Sequence, residues 1–301
     1  VNPYLKAMRL ERWPRSMAIY LGCAAFVFLY RGLYPFADIS LLLRLALSFL
    51  LTWLISTANY IINEIADAPY DIHHPTKRHR PLVKGEIKIV PLSLFGFVLT
   101  FSALALAFLL FSLPFFLSLL ALLAAGFIYN LKPVRTKDVP FLDAISESAN
   151  NPIRFLIGWF ALSPPHIFPP LSLLISWWSF GNFLMVAKRL SEFRFLKEKA
   201  GDYRASLKRY SKKSLLLGMV ISTLVFFFAY FYFACEFRFQ SFFLISPFLL
   251  FYFFLFFRKT LKEREVMEEP ELLLKHPKFA LYTFFLGLLF LLSFFLDKPG
   301  Q

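Results

Sequence analysis

Residues 59–85 read NYIINEIADAPYDIHHPTKRHRPLVKG, in which acids and an asparagine run straight into a dense basic stretch at the mouth of an apolar helix. While the chain stays helical, Asn63, Asp67 and Asp71 recur every four residues, each about 40° around the axis from the last, so they share one face. Hard oxygen donors on one face suit Mg²⁺. Magnesium takes one or two carboxylates, keeps several waters and completes its shell with substrate phosphates. The neighbouring Lys77, Arg78, Arg80 and Lys84 then fit as phosphate partners. The other reading is a solvated loop whose acids and bases neutralise one another. The surrounding chain favours the first reading, because charges at a membrane-buried helix are costly unless they serve a site.

The 301 residues are 58% hydrophobic and 20% aromatic, with 41 Phe, and the mean hydropathy is +0.60. This composition belongs to the membrane class. Apolar spans are expected near 16–35, 39–63, 88–113, 114–130, 141–163, 168–187, 214–236, 241–257 and 279–296. The expected fold is all-α: a polytopic membrane bundle of about nine transmembrane helices. It forms one integral membrane domain, 1–301, with cap elements at about 64–88 and 188–213. If the helices alternate, 28 of the 33 Lys and Arg fall on one side, and only Arg31, Arg238 and Lys298 on the other. That asymmetry predicts a plasma-membrane protein with its N-terminus, rich loops and site in the cytoplasm. The net charge of +14 is then a skirt facing anionic headgroups and substrates, without nucleic acid. Cys23 and Cys235 are expected as small buried hydrophobes. The amphipathic NPYLKAMRLERWPRS reads as an interfacial lead into the first span, with no cleavable signal peptide.

The fifth span carries Asp143, Ser146, Glu147, Ser148, Asn150, Asn151 and Arg154. Their spacing follows one helical face, so they are expected to line a hydrated cavity. An alternative has Glu147 pairing with Arg154 to lock helices, and Pro152 favours a kink either way. Near the end of the sixth span, Lys188 and Glu192 are one turn apart and point the same way, with Arg189 some 100° round. Glu192 is expected as a second carboxylate across the cavity from Asp67 and Asp71, and Lys132 and Arg135 as phosphate contacts. His73 and His74 are read as turn residues. Gly-rich phosphate loops, GxSxG and HExxH are absent from the sequence.

Asn63-Glu64-x-x-Asp67-x-x-x-Asp71, YNLK at 129–132, LD at 142–143 and Arg154 before Gly158 resemble the UbiA superfamily of intramembrane transferases, over nearly the whole chain. Glu64 stands where that family commonly has aspartate, and Pro69 interrupts the spacing. The resemblance implies a nine-helix bundle and a magnesium site held by Asn63, Glu64, Asp67 and Asp71. The second DxxxD motif of prenyl-transferring members is missing, and KRLSE stands at 188–192. With HPTKRHRP at 74–81 and YRASLKRYS at 203–211, it resembles the decaprenyl-phosphate phosphoribosyltransferase branch. That branch implies transfer from 5-phosphoribosyl-1-diphosphate to a polyprenyl phosphate, releasing diphosphate, toward lipid-linked arabinofuranose. Lys77, Arg78, Arg80 and Lys84 would hold phosphates; Arg154 and Lys132 a deeper phosphate; and Asp143, Lys188, Arg189 and Glu192 the sugar phosphate and ribose hydroxyls. The rival readings are a prenyltransferase acting on an aromatic or glycerol-phosphate acceptor, and a lipid or anion transporter. The transporter lacks the internal repeats such folds carry.

Overall fold

The structure, a computed structural model, describes residues 2–30, 39–72, 77–196, 201, 204–262 and 270–297. Among these the regular elements are helices, and every expected span carries one, the fifth in two pieces. They are α1 (Pro3–Met8), α2 (Ile19–Leu29), α3 (Ile39–Asp71), α4 (Ile89–Leu110), α5 (Leu113–Asn130), α6 (Leu142–Ser148), α7 (Asn150–Leu162), α8 (Leu171–Leu196), α9 (Lys212–Glu236), α10 (Gln240–Thr260) and α11 (Pro277–Leu296). Five of them, α3, α4, α5, α9 and α10, are long and apolar enough to cross a membrane. The chain divides into two compact units, Val1–Lys137 with Ala149–Pro169, and Asp138–Ser148 with Pro170–Gln301.

In the first unit α3 packs on α4 and α5, and α2 on α7. With 33 residues, α3 is about 50 Å long against a hydrocarbon core of about 30 Å. It continues through Pro69 to Asp71, two turns beyond the expected end, which carries its acids out of the hydrocarbon. The α2–α7 crossing is backbone against backbone. A Cβ on Gly22 would stand 2.0 Å from Phe155 O, and one on Gly158 would stand 1.7 Å from Ile19 O. Small residues are what allow membrane helices to approach this closely. The buried Cys23 thiol donates to Gly158 O at 3.1 Å across the same contact. Cys235 departs from expectation: it is exposed, because it sits in the last turn of α9 on the face turned away from the packing.

In the second unit α8 pairs with α9, and α6 lies on α8. Aromatic rings fill its centre, with Phe253 4.7 Å from Phe183 and 4.9 Å from Phe226 between centroids. The fifth span is not the single helix its stripe predicted: α6 ends at Ser148 and α7 begins at Asn150. Pro152 has no N–H to give the Ser148 carbonyl four residues back, so the helix is interrupted there.

Gly158→Leu should lower the detergent melting temperature by the equivalent of about 1–3 kcal/mol, the usual cost of overpacking. Gly287→Leu, where nothing lies within 4 Å of the added Cβ, should leave it unchanged. Equal melting of the two variants would contradict the crossing.

Candidate functional site

At the end of α3 the expected face is present. Asn63 Nδ2 donates to Asp67 Oδ2 at 3.1 Å and to Asn130 Oδ1 at 2.6 Å. Its amide hydrogens are thereby spent on protein oxygens. Asp67 and Asp71 are buried, and so is Glu64. The acids do not stand alone. Lys137 Nζ and Arg135 Nη2, the latter at 3.1 Å, both donate to Asp67 Oδ1. Arg80 Nη1 donates to Asp71 Oδ2 and lies 4.0 Å from Asp67 Oδ2, and its Nε is 3.7 Å from Glu64 Oε2. Arg9 Nη2 donates to Glu64 Oε2 at 3.2 Å. Among the described residues, four cations thus bear on these three carboxylates. Burial and the Arg80 charge both pull the Arg9 pKa below its ordinary value, against the opposing pull of Glu64.

The segments that deliver these cations are bent to do so. Arg9 ends α1 at φ 52°, and Arg135 sits at φ 30°, left-handed conformations that cost a non-glycine residue about 1–2 kcal/mol. Both guanidiniums land on the acid row.

The donor set fits magnesium. Its oxygens are hard, and among the described residues Glu64 Oε1 is buried without a hydrogen-bond partner. Among the described residues no three His, Cys, Asp or Glu converge as a ready-made metal cage. Magnesium is ordinarily held without one, by a carboxylate or two and the substrate's phosphates.

The second unit holds a closed ion-pair lattice. The fully buried Arg189 donates through Nε to Asp143 Oδ2 at 2.7 Å, through Nη2 to Glu147 Oε2 at 2.6 Å, and through Nη1 to both oxygens of Glu192 at 3.1 Å. Asp143 also accepts from Ser206 Oγ at 2.9 Å, Tyr210 Oη at 2.6 Å and the Ala144 N–H at 2.9 Å. Burial and then the Asp143 charge push the Tyr210 pKa up. The sequence put Lys188 and Glu192 on one face, with Arg189 some 100° round. In the structure Glu192 grips Arg189, with Lys188 in Coulomb range of both Glu147 and Glu192. Glu147 likewise pairs with Arg189 in place of the Arg154 partnership.

Other predicted residues lie at the edges. Lys132 is exposed, 5.8 Å from the Tyr70 ring, with Arg135 at 4.5 Å from the same ring. Lys84 is exposed and pairs with Glu86 at 3.5 Å. Arg78 is exposed and donates to His79 at 3.3 Å. The Lys77 side chain, His73, His74, Tyr203 and Gln301 lie outside the described residues. Sequence reasoning gave no role to the loop residue Lys137, quoted Asn130 and Ser206 only within YNLK and YRASLKRYS, and read Arg9 only as part of a basic lead. Polar residues in loops carry no periodicity, so only the convergence of segments in space marks them.

A polytopic helical membrane protein whose longest span ends in acids under a canopy of cations is the class this fold and site define. The sequence model of the UbiA prenyltransferase family matches residues 19–281. The chain belongs to that family of membrane transferases. It is 25% identical over 222 residues, 71% of its length, to a decaprenyl-phosphate phosphoribosyltransferase of Mycolicibacterium smegmatis, of whose own length the match spans just under two thirds, 64%. It is 24% identical over 238 residues to that of Mycobacterium tuberculosis, covering 77% of this chain and 74% of that one. A UbiA homolog from Archaeoglobus fulgidus, solved bound to DMAPP and Mg²⁺, shares the fold with a TM-score of 0.69 at 19% identity, over 97% of this chain and 98% of that one.

Asp143→Ala should cost about 3–5 kcal/mol, the usual effect of removing one partner from a buried charge pair. Amide exchange should accelerate at 205–210, while Lys84→Ala leaves both melting and exchange unchanged. Unaltered exchange at 205–210 in the Asp143 variant would contradict the hub.

Proposed function

We propose that the protein transfers the 5-phosphoribosyl group from 5-phosphoribosyl-1-diphosphate to a polyprenyl phosphate of the decaprenyl type, with magnesium, at the cytoplasmic face of the plasma membrane. The product would feed lipid-linked arabinofuranose. The observation that carries this reading is the cation surplus over the acid row of α3. Such a site repels free metal until an anion arrives, which is the charge state suited to a magnesium diphosphate. The choice of phosphoribosyl over prenyl transfer is supported by KRLSE at 188–192 where a second aspartate-rich motif would stand. Similarity to two mycobacterial decaprenyl-phosphate phosphoribosyltransferases supports it as well.

In this reading Asn63, Glu64, Asp67 and Asp71 hold magnesium, which when bound neutralises charge on the departing diphosphate. Arg80, Arg135 and Lys137 exchange carboxylate contacts for phosphate oxygens, with Lys77, Arg78 and Lys84 at the entrance. Arg154 serves a deeper phosphate, and the exposed Lys132, beside the Tyr70 ring, one at the entrance. In the second unit Lys188 would be an anion-binding cation, its helix held by the Asp143, Arg189 and Glu192 lattice. The bond between ribose C1 and the diphosphate oxygen breaks, its electron pair leaving with diphosphate. An oxygen of the lipid phosphate forms the new bond at C1. That phosphate, with a second pKa of about 6, is mostly a dianion at neutral pH, so no general base is required. Direct attack predicts inversion at C1.

A second reading keeps the site and changes the donor to an isoprenyl diphosphate, favoured by the DMAPP and GPP bound in the Archaeoglobus fulgidus structures. Purified protein with magnesium should convert phosphoribosyl diphosphate and a short polyprenyl phosphate to the lipid-linked pentose phosphate, seen by mass spectrometry. Geranylgeranyl diphosphate with hydroxybenzoate or a glycerol phosphate should stay unreacted. Asp67→Asn and Asp71→Asn should each lose about 100-fold or more in rate while remaining folded. Prenylated product, or wild-type rates in both variants, would overturn the proposal.

A further inference from the structure

From Ile39 to Asn63, α3 carries a single charge, Arg44. It stands 20 residues before Glu64, a rise of about 30 Å, which is the thickness of the hydrocarbon core. Arg44 and the acid row therefore mark the two faces of the bilayer on one helix. Among the described residues no carboxylate pairs with Arg44. Glu64, Asp67, Asp71 and Glu86 are engaged with Arg9, Arg80, Arg135, Lys137 and Lys84 at the opposite end of the unit.

Arg44 is exposed, yet its guanidinium lies against protein. Nη1 donates to Ala161 O, in the last turn of α7, at 3.4 Å, and Cζ is 5.8 Å from the centroid of the Phe111 ring, in the turn between α4 and α5. A guanidinium carries five N–H donors, so this single long bond leaves most of them for a ligand. Ser112, next to Phe111, opens α5 without a side-chain capping bond. Ser112 Oγ and Ser163 Oγ, the latter two residues past Ala161, are buried and among the described residues have no hydrogen-bond partner. One turn along α4 from Phe111 begins a groove of about 310 Å³ lined by Phe97, Phe101, Leu104, Phe108 and Phe116. Between Phe108 and Phe97 it runs about 16 Å along α4, from the level of Arg44 toward the bilayer centre.

We propose that Arg44 and this groove form a site for an anionic phospholipid of the leaflet opposite the acid row, its phosphodiester on the guanidinium and one acyl chain along α4. An ionisable residue kept in a membrane span has a partner to meet, and a guanidinium at headgroup depth without a carboxylate meets phosphate oxygens. The apolar groove selects a lipid over a soluble anion, which would leave it empty. A lipid bound there ties the ends of α3 and α7 to the α4–α5 turn. The inference is independent of the transfer reaction, because none of these residues belongs to the site proposed for it.

The test is a titration of phosphatidylglycerol into the delipidated full chain in detergent, followed by native mass spectrometry, with phosphatidylcholine as the parallel ligand. The first phosphatidylglycerol should bind about tenfold more tightly than phosphatidylcholine, the worth of one charge-assisted hydrogen bond. Arg44→Gln should weaken it by about tenfold, and Arg44→Lys, which keeps the charge, by less. Ala105→Phe, which fills the groove without touching a charge, should weaken it about fivefold or more. Arg238→Gln, at an exposed cation of the second unit, should leave it unchanged. If Arg44→Gln fails to fold, as judged by melting, Ala105→Phe carries the comparison. Undiminished phosphatidylglycerol binding in both Arg44→Gln and Ala105→Phe would overturn the proposal. Equal affinity for phosphatidylcholine, or displacement of the lipid by inorganic phosphate, would overturn it as well, by showing a site that selects neither an anionic headgroup nor a lipid.

Discussion

Carboxylates at the end of a long apolar helix must be neutralised, and the first unit is arranged around that need. Glu64, Asp67 and Asp71 draw Arg9 from the N-terminal arm, Arg80 from the loop after α3, and Arg135 and Lys137 from the loop after α5. Three separate loops are thereby pinned over one helix end. The same attraction overshoots: among the described residues, four cations against three acids leave a surplus that an anionic ligand, with its metal, would balance.

The two charged clusters differ in how their central groups are bonded. Asp143 accepts four hydrogen bonds, and Arg189 spends Nε, Nη1 and Nη2 on carboxylates. Such a saturated lattice fixes α6, α8 and the Ser206–Tyr210 stretch in one arrangement, as fully connected buried networks do. At the end of α3, by contrast, Glu64 Oε1 is buried and, among the described residues, unmatched. On α7, Arg154 Nε is in the same position.

Much of this was legible in the sequence, for physical reasons. Hydropathy fixes where helices must lie in a bilayer, because every backbone group there has to be bonded within its own segment; the nine span positions follow from it. The four-residue spacing of Asn63, Asp67 and Asp71 survives because α3 runs unbroken past Pro69. The polar stripe of the fifth span does not survive, because a local break before Pro152 outweighs the long-range periodicity. Helical geometry put Glu192 on the face of Lys188; its ion pair goes to the i, i+3 neighbour Arg189, which also satisfies Asp143 and Glu147. The contributions of Lys137 and Arg9 depend on loop closure and on left-handed backbone at Arg9 and Arg135, which no spacing announces.

The central claim is that the acids of α3 and the cations over them form a site for a diphosphate together with a divalent metal. Titration calorimetry of inorganic diphosphate into the purified protein, with and without magnesium, tests it most directly. The account predicts at least about tenfold tighter binding with magnesium, a coupling of about 1.4 kcal/mol, with that increment removed by Asp71→Asn. Equal affinity with and without the metal, or an increment that persists in the variant, would contradict it.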